Sequence, residues 1–194
     1  MKKVIFSAIL MMVSVVAVAQ QRAGSLSIVP KVGLTLATVT DDDCGTKGGL
    51  IAGAEAMYQL TDNIGLSGGL FYAMQGYNSD NEGIKGELDS RYINVPILVN
   101  AYVAKGFAVK AGIQAGFLLS AEAGIRGGGA NVMMDVKDMC NNADLSIPLG
   151  ASYEFNRFVV DARYNLGINN VLKEDGGDGN GKNGVFQFTV GYKF

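Results

Sequence analysis

Charged side chains recur at alternate positions in this chain, and they are the first place to look for chemistry. Four bases, Lys31, Lys110, Arg163 and Lys193, and four acids, Glu55, Glu122, Glu154 and Asp161, each sit in a stretch that alternates apolar and polar residues. Paired acids can serve as general acid and base. Here nothing beside them supplies the rest of a catalytic set. The chain of 194 residues holds no histidine, which removes the usual general base, the commonest metal ligand and any Ser-His or Cys-His pair. The chemistry left to these eight residues is mutual ion pairing inside a confined space. No catalytic residue, cofactor or metal site is expected.

Two cysteines offer a second possibility. Cys44 lies in one long polar link and Cys140 at the end of another. In an oxidising compartment they can form a disulfide that clips the two links together, or remain two separate thiols. The acidic, glycine-rich run Glu174-Asp175-Gly176-Gly177-Asp178-Gly179-Asn180-Gly181 and the triplet Asp41-Asp42-Asp43 match no calcium-loop spacing and read as solvated loops.

The elements that must position these residues are strands. From Ser27 onward the hydrophobic period is two. Phe107, Val109, Ala111, Ile113, Ala115, Phe117 and Leu119 share one face. Lys110, Gly112, Gln114, Gly116, Ser120 and Glu122 share the other, with Leu118 breaking the rule. The same split runs through Asp144–Phe155, Val160–Leu166 and Phe186–Phe194, and more weakly through Ile28–Thr38, Gly49–Leu60, Ile64–Gly76 and Arg91–Tyr102. Eight strands result. Between them, three short links (61–63, 104–106 and 156–157) alternate with four long polar ones (39–48, 77–90, 123–143 and 167–183).

Tight turns on one side and long loops on the other mark a transmembrane barrel. A soluble barrel would give the same period with its apolar face turned inward. The glycine-rich polar face and the aromatics near strand ends favour lipid outside. Tyr58, Phe107, Phe155, Phe158, Tyr192 and Phe194 are placed at the periplasmic interface; Tyr72, Phe117, Tyr164 and Phe186 are placed nearer the outer one. The expected fold is therefore all-β: an eight-stranded antiparallel up-and-down transmembrane β-barrel with short periplasmic turns and long extracellular loops.

The N-terminus reads as a signal peptide over residues 1–19. Lys2 and Lys3 precede an apolar run from Val4 to Val16, and Ala17-Val18-Ala19 forms the cleavage site. Residues 20–194 form the barrel domain, destined for the cell outer membrane. The net charge of −2 offers nothing to nucleic acid. The expected partners are outer-membrane lipid, the barrel-assembly machinery during biogenesis, and a protein on the extracellular or periplasmic side.

Several segments carry a family likeness. Tyr92-Ile93-Asn94-Val95-Pro96-Ile97-Leu98, the opening Lys31-Val32-Gly33-Leu34-Thr35-Leu36-Ala37 and the stretch Asp161-Ala162-Arg163-Tyr164-Asn165-Leu166-Gly167-Ile168-Asn169-Asn170 resemble the PorT-like, porin-family small outer-membrane barrels. Val109-Lys110-Ala111-Gly112 with Gly116-Phe117-Leu118-Leu119-Ser120 is similar to another strand of that family. Asn94 and Asn100 stand where the family carries a glutamate and, often, a lysine. The resemblance implies the fold and the outer-membrane location. It also suggests a narrow channel for small solutes or an accessory place in a secretion or assembly machinery. Phe186, Phe188, Val190, Tyr192 and Phe194 resemble the C-terminal signal that the assembly machinery reads.

An eight-stranded barrel is just wide enough for side chains to fill. The eight charged residues are accordingly expected to pair across its axis and plug it. A non-enzymatic structural or surface-interaction role follows.

Overall fold

The computed structural model describes residues 23–39, 44–81, 84–127, 130–137, 141–170 and 182–194. Residues 1–19, expected to be a signal peptide, the triplet Asp41-Asp42-Asp43, Cys140 and the run Glu174–Gly181 lie outside the described residues, as does the side chain of Cys44.

Nine strands follow in order: β1 (Leu26–Val39), β2 (Cys44–Gln59), β3 (Ile64–Asn81), β4 (Ile84–Ala104), β5 (Phe107–Gly127), β6 (Ala130–Asp135), β7 (Ala143–Phe155), β8 (Phe158–Asn170) and β9 (Lys182–Tyr192). Eight of them close a ring. Each pairs antiparallel with its neighbours, β4 joins β5, β5 joins β7, and β1 meets β9 with Lys31 opposite Gly191. The ninth, β6, folds back on the upper end of β5, with Gly127 opposite Ala130. The chain is a closed eight-stranded antiparallel β-barrel.

Alternation decides which face is which. Val109, Ile113, Phe117 and Leu119 on β5 point outward, as do Leu145, Ile147 and Leu149 on β7 and Phe186, Phe188 and Val190 on β9. The polar residues between them are buried. The barrel is thus inside-out relative to a soluble one, which suits a wall in contact with hydrocarbon. Aromatic pairs cluster at both ends of this apolar belt. Phe158 meets Tyr192 edge-on at 5.5 Å, Tyr192 meets Phe194 at 4.8 Å, and Tyr164 stacks at a tilt on Phe186 at 4.3 Å.

The turns at the periplasmic end are short for local reasons. Gly106 (φ 73°) and Asn156 (φ 57°) adopt the left-handed conformation that tight hairpins need and that these residue types tolerate. At the third turn, the Thr61 hydroxyl oxygen accepts a hydrogen bond from the Ile64 amide at 3.1 Å.

The outer end departs from the sequence-based expectation. A membrane-crossing strand needs only about 9–11 residues, yet β3 has 18 and β4 and β5 have 21 each. Most of segment 77–90, expected as a loop, is instead the tip of the β3–β4 hairpin, with Asn81 opposite Ile84. Segment 123–143 likewise contains the end of β5 and all of β6. Sheet continues well beyond the apolar belt.

Candidate functional site

The inner face of the barrel is stratified, and its middle layer is ionic. Alternation on β1, β2, β5 and β8 turns Lys31, Glu55, Lys110, Asp161 and Arg163 toward the axis, where their side chains are at most 3% exposed. Each carboxylate touches all three cations. Glu55 accepts from Lys31 at 3.1 Å, Lys110 at 3.3 Å and Arg163 Nη2 at 2.9 Å. Asp161 accepts from Lys31 at 3.2 Å, Lys110 at 2.6 Å and Arg163 Nε at 2.6 Å. Contacts this short between ionised groups are the strong class of hydrogen bond. Four of the six join strands that are not neighbours in the wall; Lys31–Glu55 links adjacent β1 and β2, and Arg163–Asp161 lies within β8.

The surroundings are shaped to fit. The Arg163 guanidinium carbon lies 5.6 Å from the centre of the Phe71 ring, within cation–π range. That ring needs glycine beside it, since a Cβ on Gly53 or Gly69 would come within 2.6 Å of its edge. A Cβ on Gly191 would stand 2.7 Å from the Lys31 stem, and one on Gly150 would stand 2.8 Å from the stem of Arg163.

Toward the periplasm the lumen is filled by a mixed layer. The Tyr102 hydroxyl donates to Met57 Sδ at 3.0 Å, and Asn100 Nδ2 donates to Ser67 Oγ at 2.9 Å. Lys193 donates to both oxygens of Glu154 at 2.9 Å. Toward the outside lies a layer of amides. Gln114 donates to Ser146 at 3.4 Å, whereas Asn94 Nδ2, both side-chain polar atoms of Asn165, and Gln187 Nε2 find no partner among the described residues. Above them Tyr92, Leu118 and Ala121 form a small apolar cluster, against which Val136 packs.

Of the eight charged residues expected to share the lumen, five converge in one cluster and Glu154 with Lys193 forms a separate pair. Glu122 does not belong with them. The β4–β5 register slips between Arg91 and Tyr92, so that Arg91 faces Ser120 while Tyr92 faces Leu118 and Leu119 is the extra residue. A bulge of this kind reverses the alternation beyond it. Leu118, just before the bulge, keeps the inward parity of Gln114 and Gly116, whereas Glu122, beyond it, lies on the outer surface, 3.8 Å from Arg91 with both side chains well exposed. Sequence reading also missed the large apolar side chains of the lumen, Met57, Phe71, Tyr92 and Tyr102. Phe71 shares its parity with Ser67, Gly69 and Gln75, which was the available signal. The choice between a disulfide and two separate thiols for Cys44 and Cys140 falls on a residue outside the described set. Phe186, Phe188 and Val190 line the outer wall of β9, and the Phe194 amide donates to the Ile28 carbonyl at 3.0 Å.

A family model described as "Outer membrane protein beta-barrel domain" matches residues 18–173. The chain belongs to that family. Its barrel is thus an outer-membrane protein, and lipid faces the wall described above. Among solved structures it is similar to Ail, the attachment invasion locus protein of Yersinia pestis, with 16% identity and a TM-score of 0.53 over 89% of this chain and 100% of that one. Neisserial surface protein A is similar to the same degree, with 16% identity and a TM-score of 0.51 over 89% of this chain and 100% of that one. At such identity these two share the fold. No curated protein matches the sequence.

Proposed function

We propose that this barrel is a non-enzymatic outer-membrane protein whose lumen is closed to solutes and whose work is done at its outer rim. The observation that carries the reading is the five-residue ionic cluster, whose side chains are at most 3% exposed and most of whose bonds join strands that are not neighbours in the wall. A solute would have to part several charge-assisted bonds in a medium where an unpaired charge is costly. The tall β3–β4 and β5–β6 hairpins support the second half of the reading, because they hold a rigid sheet above the membrane where loops and edges can meet other molecules. The names of the two structural relatives, an attachment protein and a surface protein, point the same way.

Planar-bilayer recording of the refolded, heat-modifiable barrel tests the closed lumen. Folded, inserted protein should stay electrically silent. Reproducible open steps would overturn the reading and put a narrow solute channel in its place, with the unpaired amides of Asn94, Asn165 and Gln187 as its lining.

Export through a signal peptide cleaved after Ala19, and assembly through the C-terminal aromatic pattern, belong to the same proposal. The N-terminal sequence of the membrane-extracted protein checks the first. The PorT-like resemblance suggests a subunit role in a secretion machinery, which co-purification with a fixed set of partners would reveal.

A further inference from the structure

The ionic cluster does not balance. Lys31, Lys110 and Arg163 bring three positive charges, and Glu55 and Asp161 bring two negative ones. Among the described residues no further acid joins them. One formal positive charge is left buried at the centre of the barrel, and an uncompensated buried charge is strongly unfavourable.

Four unsatisfied groups lie on the same inner face, three of them on β8 and β9 beside Arg163 and Asp161 and the fourth on β4. Gln187 is the cross-strand partner of Arg163, and Thr189 is that of Asp161. Asn165 is the next inward-facing residue after Arg163 on β8. Asn94 sits opposite Phe71, the residue whose ring the guanidinium overlies. Each side chain is at most 3% exposed, and Gln187 Nε2, Thr189 Oγ, Asn165 Nδ2 and Asn94 Nδ2 all lack a hydrogen-bond partner among the described residues. All four atoms can donate. Buried donors without partners are rare in folded proteins and call for an explanation.

From the excess charge and these donors together we infer a binding site for one small monovalent anion, a halide in ordinary media, on the β8–β9 side of the cluster between Arg163, Gln187, Thr189 and Asn165. A single halide would neutralise the surplus charge and accept the unused hydrogen bonds. A divalent metal would meet the wrong sign of charge, and a water molecule would leave the charge in place.

This goes beyond the closed-lumen reading and fails separately from it: conductance tests that reading, halide-dependent stability tests this one. The folded full-length barrel in zwitterionic detergent is unfolded by heat in sodium bromide and in sodium gluconate at matched ionic strength. Bromide should raise the unfolding temperature in a saturable way, as any ligand specific to the folded state does, and gluconate should not. Gln187→Glu places a fixed negative charge at the site. It should raise the unfolding temperature in gluconate and abolish the bromide response. Asn165→Asp makes the same test should the first variant fail to fold. Superimposed bromide and gluconate curves for the unsubstituted protein would overturn the inference, as would a bromide response that survives in the folded variant.

Discussion

Asp161→Asn is the substitution that interrogates the ionic layer most directly. The side chain keeps its size and one carbonyl acceptor but loses its charge, so packing is nearly constant while electrostatics change. Asp161 is 1% exposed and receives Arg163 Nε and Lys110 Nζ at 2.6 Å and Lys31 Nζ at 3.2 Å. Removing it leaves three cations around Glu55 alone. Breaking a buried ion pair on one side costs about 3–5 kcal/mol, and the retained amide oxygen places the expected loss near the lower end, about 3 kcal/mol. Adding Lys110→Met restores the original charge difference, because Lys31 and Arg163 then face Glu55. The double variant should therefore be more stable than the sum of the two single changes by roughly 1–3 kcal/mol, the range found for residues in one network. The assay is equilibrium urea unfolding of the barrel in lipid vesicles. It is followed by far-ultraviolet circular dichroism because the chain contains no tryptophan. A single-variant loss below about 1 kcal/mol, or strict additivity in the double variant, would refute a cluster held together by charge.

Three further outcomes are expected. Ile113 lies in the middle of the outward row on β5 and is 63% exposed; Ile113→Lys should cost about 2–4 kcal/mol in the same unfolding assay, as cations at the bilayer midplane do. Arg91→Ala removes an exposed pair at 3.8 Å and should cost no more than about 1 kcal/mol, a difference that shrinks further in high salt. Phe194→Ala should lower the heat-modifiable fraction recovered from cell envelopes while leaving the urea midpoint of refolded protein nearly unchanged. A parallel fall in both would assign Phe194 to stability rather than to assembly.

The barrel was legible because a lipid-facing wall writes its alternation plainly. Along β5 every second residue from Phe107 to Leu119 is apolar, and the wall faces hydrocarbon there. Above the belt no lipid imposes an apolar outer face, so the pattern that identifies a strand disappears while the hydrogen-bonded ladder continues. That is why 77–90 read as a loop although most of it is paired strand. The placement of Glu122 failed for a related reason. A bulge shifts register by one residue and inverts every side chain beyond it, and the trace in the sequence was the adjacent apolar pair Leu118-Leu119, where alternation breaks. Convergence of the five charged residues was legible only as a face. Which of them meet depends on how strand tilt and stagger bring different heights together across the lumen.

The separation of lumen from rim has a structural consequence of its own. The ionic cluster ties β2 to β5, β5 to β8 and β8 to β2, three pairs that share no ladder in the wall. Cross-bracing at mid-height fixes the barrel's cross-section independently of what happens above it. The β3–β4 and β5–β6 hairpins then rise from a rigid base, and their outer residues, Asp89, Arg91 and Glu122 among them, make only exposed or partly exposed ion pairs. Substitutions in the rim should be tolerated where equivalent ones in the lumen are not. The proposed surface role would use this division, since it lets rim residues change while the fold stays the same.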